Sequence, residues 1–109
     1  MMDDRRKHIL MAIENLAQAI VPKGAVVLLF GSQARGDAHE GSDWDLLILL
    51  DKGRVALDDY DNLAYPFREL GWELGEIINP ILYTVGDWKK QSHTPFYKNV
   101  ENDGIRLWH

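Results

Sequence analysis

Apolar positions along this chain come in two patterns, and the two alternate. Ile9, Ile13, Leu16 and Ile20 fall at helical spacing, with Asp3 or Asp4 as an N-cap and Pro22 and Gly24 as a stop. Ala25-Val26-Val27-Leu28-Leu29-Phe30 is short, valine-containing and apolar throughout, the pattern of a strand buried on both faces. A polar, glycine-punctuated stretch then runs from Gly31 to Ser42, with a short helical turn over Gln33 to Arg35. Asp43-Trp44-Asp45 leads directly into Leu46-Leu47-Ile48-Leu49-Leu50, a second buried strand.

The second half repeats the alternation. Asp58 to Leu74 predicts a helix with Leu63, Phe67, Leu70 and Leu74 on one side and Pro66 as a kink. Ile77 to Thr84 predicts a third strand, and Pro80 within it points to an edge or a bulge. Asp87 is positioned to cap a short helix. Thr94-Pro95 reads as a cap followed by proline at the first helical position, with Gly104 as the stop. Ile105 to Trp108 predicts a last short strand. The order α-β-(short α)-β-α-β-α-(β) implies a small α/β or α+β fold, a mixed β-sheet with helices packed on it.

Composition narrows the function classes. No repeat or linker divides the 109 residues, a length that suits one domain spanning 1–109. Twelve Lys and Arg against 17 Asp and Glu leave a net charge of -5, which argues against direct nucleic-acid binding through a basic face. The absence of cysteine excludes a disulfide framework and a thiolate metal site. The longest apolar run, Ala25 to Phe30, is too short for a membrane span, and Glu14 and Asn15 interrupt any signal-like core at Ile9 to Ile13. A soluble cytoplasmic protein is the expectation.

The candidate chemistry lies between the first two strands. Gly31 at a strand end lets a ligand approach the backbone with no Cβ in the way. Ser32 adds a hydroxyl and an N–H at the start of a helical turn, where N–H groups favour anionic oxygens. Arg35 offers a charge-assisted bond to the same phosphate chain. Asp43 and Asp45, two apart on a strand, share a face and form a paired carboxylate edge. Such a pair suits Mg²⁺, which takes one or two carboxylates plus substrate phosphates. Singly, a Gly-Ser pair usually marks a turn and an Asp-x-Asp a solvated strand entrance; their combination at this spacing is far rarer.

Leu29-Phe30-Gly31-Ser32-Gln33-Ala34-Arg35-Gly36, followed by Ser42-Asp43-Trp44-Asp45-Leu46-Leu47-Ile48, resembles the signature of minimal nucleotidyltransferases of the DNA polymerase beta superfamily. That signature is a Gly-Ser pair, ten residues and then Asp-x-Asp. The resemblance implies a nucleoside triphosphate donor, ATP in the simplest case, and Mg²⁺ as cofactor. Gly31 and Ser32 would hold the β- and γ-phosphates, with Arg35 assisting, and Asp43 and Asp45 would hold the metals. An acceptor hydroxyl would attack the α-phosphate and release pyrophosphate. Many such domains are encoded beside a helical HEPN-type toxin and act as its antitoxin, in studied members by transferring AMP to a tyrosine of that partner. The chain is too short for the extra domain that larger relatives use, so a second protein or a second copy, a homodimer, would complete the site.

One departure stands out. The superfamily commonly supplies a third carboxylate from a later strand, and the matching position here is Asn79, which cannot act as a base. Glu76 lies close by in sequence. A non-catalytic module that keeps this fold and neutralises a partner by contact is therefore the alternative. Reading the Asp-x-Asp as that of a phosphatase or glycosyltransferase fits poorly, because there the apolar strand precedes the motif.

The remaining residues read as structural. His8, His39, His93 and His109 show no ligand spacing, and of these His39 alone lies in the motif loop. Trp44 points away from the aspartates, towards core or a partner. Trp72, Trp88, Phe96 and Tyr97 read as core or interface, and Asp58 to Asp61 as a solvated helix start. Asp37 and Glu40 carry no assigned role.

Overall fold

The computed structural model describes the backbone of residues 2–108 and the side chains of residues 4–108. His109 lies outside the described side chains. Helix α1 spans Met2–Ile20, so Asp3 and Asp4 both sit in its first turn and neither is its cap. Strands β1 (Val26–Phe30) and β2 (Trp44–Leu50) pair antiparallel, with Phe30 opposite Asp45. The short helix α2 (Ser32–Arg35) opens the loop between them.

Strand β3 (Ile78–Thr84) lies parallel to β2, and β4 (Ile105–Trp108) pairs antiparallel with β1. The resulting order, β3-β2-β1-β4, is a mixed sheet, and it leaves β3 at an edge. Pro80 is tolerated there because one side of an edge strand asks nothing of its missing N–H.

The parallel pair needs a crossover, supplied by α3 (Leu57–Asp59), a π turn (Tyr60–Ala64) and α4 (Tyr65–Leu74). The kink expected at Pro66 takes the form of that π turn. Proline has no N–H to bond back, and the wider turn just before it absorbs the mismatch.

Alternation along the strands divides the core in two. Ile9, Ile13 and Ala17 of α1 pack with Val27, Leu29, Trp44, Leu46, Ile48, Phe67 and Ile78 on one face. Leu47 and Leu49 face the other way, under α5 (Val85–Lys90) and α6 (Pro95–Asp103), and meet Trp88 and Val100. Trp88 contacts Phe96 and Tyr97 at centroid distances of 5.4 and 4.9 Å, which places all three in or against this smaller core.

Trp72 does not follow them. It is 64% exposed and meets the Tyr65 ring edge-on at 5.8 Å, because it falls off the Leu63–Phe67–Leu70–Leu74 face of its helix. The cap of α5 also differs from expectation. Thr84 Oγ1 accepts from the Asp87 N–H at 3.0 Å, so Thr84 is the cap and Asp87 sits in the first turn. Thr94 caps α6 as expected, accepting from the Tyr97 N–H at 3.1 Å.

Candidate active site

Strand β1 delivers the chain to Gly31, where it turns with φ 76° and ψ -158°. A Cβ built there would stand 2.6 Å from Asp45 Oδ2, so both the backbone conformation and the space require glycine. Helix α2 begins at once. The N–H groups of Ala34 and Arg35 both bond the Gly31 carbonyl at 3.1 Å, and those of Ser32 and Gln33 precede this internal bonding. Gly36 closes α2 in the left-handed region with φ 85°.

Asp43 immediately precedes β2, and Asp45 is its second residue. The parallel register sets Asp45 beside Asn79. Asn79 Nδ2 donates to Asp43 Oδ2 at 2.9 Å and makes a longer contact with Asp45 Oδ1 at 3.4 Å. One amide nitrogen thus serves both carboxylates, and residue 79 shares their face of the sheet. The Asp45 carboxyl is pushed above its ordinary range. Burial is the main cause, opposed by the Asn79 hydrogen bond, reinforced by the Asp43 charge and opposed again by Arg35.

The other predicted residues separate around this centre. Arg35 points its Nε to Asp37 Oδ2 at 3.2 Å, and both side chains are exposed. Glu76 lies on the α1 side, away from the aspartates. It accepts from Trp44 Nε1 at 3.1 Å and pairs with Arg5. Asn79, not Glu76, is therefore the neighbour of the carboxylate pair. His39 belongs to the loop itself, its N–H donating to Ser42 Oγ at 2.9 Å. It also lines a cavity of about 570 Å³ with Arg5, Arg6, Gln33, Trp44 and Glu76, on the side of the sheet opposite the aspartates.

Among the described residues no three His, Cys, Asp or Glu side chains gather into a metal-binding group. None of the helices described is long and apolar enough to cross a membrane.

The family model described as the nucleotidyltransferase domain matches residues 10–105. The chain belongs to this family. A candidate protein adenylyltransferase of Methanocaldococcus jannaschii is 37% identical over 81 residues, 74% of this chain and 76% of its own. A solved toxin–antitoxin complex with AMP-PNP shares the fold at TM-score 0.63 and 21% identity, covering 91% of this chain and 72% of that one. A nucleotidyltransferase candidate from Sulfolobus solfataricus does so at TM-score 0.64 and 19% identity, over 96% and 84% of the two chains. The expected mixed sheet and nucleotidyltransferase fold are both borne out, and the chain is a nucleotidyltransferase.

Arg6 and Gln33 meet beside the motif, a pairing the sequence does not announce. Gln33 reads from the sequence only as the start of the short helical turn, and Arg6, 27 residues earlier, carries no sequence signal that would pair it with Gln33.

Proposed function

We propose that this nucleotidyltransferase moves AMP from ATP, with Mg²⁺, to a hydroxyl group on a partner protein. The observation that carries the proposal is the meeting of Asp43, Asp45 and Asn79 at one point beside Gly31. Two carboxylates on one face form a hard oxygen donor pair that fits Mg²⁺, which binds through one or two carboxylates plus substrate phosphates. Bound there, the metal would supply neutralisation of the phosphate charge.

In this reading Asp43 and Asp45 hold the metal. Gly31 and Ser32 receive the β- and γ-phosphates on backbone N–H groups, and Arg35 adds a charge-assisted bond. The acceptor oxygen attacks the α-phosphorus in line. An O–P bond forms as the bond to the β-phosphate oxygen breaks, and pyrophosphate leaves. The acceptor's proton passes to a base, and Asn79 cannot be that base.

The adenylyl donor and the protein acceptor are supported by the name of the archaeal relative, and the nucleotide and the partner by the solved complex with AMP-PNP. The proposed partner is a HEPN-type toxin. Incubation with α-labelled ATP, Mg²⁺ and such a partner is expected to label the partner and release pyrophosphate. No label on the partner and no pyrophosphate would overturn the proposal.

One observation favours a second reading, an antitoxin that acts by contact alone. Asn79 donates to both aspartates where a third carboxylate would be expected. Tight partner binding without Mg²⁺-dependent pyrophosphate release would select it.

A further inference from the structure

Three residues of the motif each have, next to them in sequence, a residue belonging to one connected cluster on the α1 side of the sheet. Gln33 follows Ser32, Ser42 precedes Asp43, and Trp44 lies between Asp43 and Asp45. Arg6 joins them. Its Nη2 donates to the Gln33 carbonyl at 2.8 Å and its Nη1 to Gln33 Oε1 at 3.0 Å. Its guanidinium carbon lies 5.6 Å from the centroid of the Trp44 ring. The Gln33 amide reaches the Ser42 carbonyl at 3.5 Å, and Trp44 Nε1 is held by Glu76. Gln33 is 8% exposed and Trp44 2%.

We infer that Arg6 and Gln33 are positioning residues that set, from behind, the separation between the Ser32 backbone and the Asp43–Asp45 pair. The inference rests on the nucleotide site proposed above and deepens it. The loop between Ser32 and Asp43 is polar and holds two glycines in the left-handed region, Gly36 and Gly41. Such a segment has little to hold its own ends at a fixed distance. Arg6 comes from a long helix anchored in the core through Ile9 and Ile13. Its rigid planar fork transfers that fixed position to both ends of the loop through Gln33, which a lysine cannot do. Phosphoryl chemistry is sensitive to such placement, a shift of about 1 Å costing roughly 10²-fold in rate.

The test uses Arg6→Lys, Gln33→Met and the double variant. Each is expected to stay folded, with its unfolding temperature close to that of the parent. The kcat for AMP transfer is expected to fall about 10- to 100-fold, with a smaller change in KM for ATP. The double variant should be no worse than either single one, since both break the same clamp. Amide hydrogen exchange in the nucleotide-free protein should rise about tenfold between residues 32 and 45 in each variant. Unchanged exchange in both single variants, or a double-variant loss equal to the product of the two, would overturn the inference. If the parent protein transfers no AMP, the proposed function fails, and exchange still decides whether the clamp holds the loop.

Discussion

At Asp45 opposing influences meet on one carboxylate. Burial and the Asp43 charge disfavour its ionised form, while Asn79 and Arg35 favour it, and the balance leaves the carboxyl above its ordinary range. A charge held at a cost is a charge whose removal relieves the fold. Asp45→Asn is therefore expected to abolish Mg²⁺-dependent AMP transfer while raising the unfolding temperature of the metal-free protein. Thermal unfolding followed by circular dichroism in EDTA checks this, and a lower unfolding temperature would make Asp45 a structural residue. Asn79→Asp tests the neighbouring position. It removes the amide that serves both carboxylates and adds a third anion beside them. Metal-free stability should fall and recover as Mg²⁺ is added. Turnover should rise, by as much as the roughly 10²–10⁴-fold that a placed base or ligand supplies. Stability indifferent to both the substitution and Mg²⁺ would mean that position 79 does not share the site.

Among the elements, the crossover from β2 to β3 shows how local chemistry secures a helix start. Asp59 Oδ2 accepts from the Ala56 N–H at 2.7 Å and lies 2.6 Å from Lys52 Nζ. Lys52 first, and the Ala56 N–H second, hold the Asp59 carboxyl below its ordinary value of 3.8. A depressed folded value means stability that is fully present above pH 3.8 and lost as pH falls through the folded value. Asp59→Ala is expected to cost about 0.5–2 kcal/mol at neutral pH, as loss of a helix cap does. The gap from the parent should narrow in strong acid. The ion-pair part, being partly solvated, should weaken with added salt. Urea unfolding of both proteins across pH reads all three effects, and a gap that widens in acid would refute the assignment.

On the scale of the whole molecule, the sheet offers two unlike faces near the motif. One presents Asp43, Asp45 and Asn79; the other carries Trp44, Arg6 and Glu76 beneath the same loop. A phosphate chain cannot sit beside two uncompensated carboxylates on the first face. ATP is therefore expected to bind when Mg²⁺ or Mn²⁺ is present and to lose that affinity in EDTA, as calorimetry would register. Equal affinity in both conditions would remove the metal from the site.

How much of this was legible beforehand follows from the range of the forces involved. Strands β1 and β2, the turn at Gly31 and the shared face of Asp43 and Asp45 are local consequences of apolar runs, a glycine and a two-residue period, so the sequence by itself determined them. The cap at Thr94 was legible for the same reason, whereas Pro80 left an edge or a bulge open and the sheet order decided for the edge. Three things were not. The side of the sheet to which residue 79 turns depends on the register of β3 against β2, which pairs Asp45 with Asn79 across 34 residues. The π turn before Pro66 is a compromise between a missing N–H and the packing of Leu63 and Phe67. The clamp of Arg6 on Gln33 and Trp44 joins α1 to the motif with no periodicity to announce it. Only tertiary structure decides such pairings, because each bond is made between segments whose approach the core, and not the local chain, enforces.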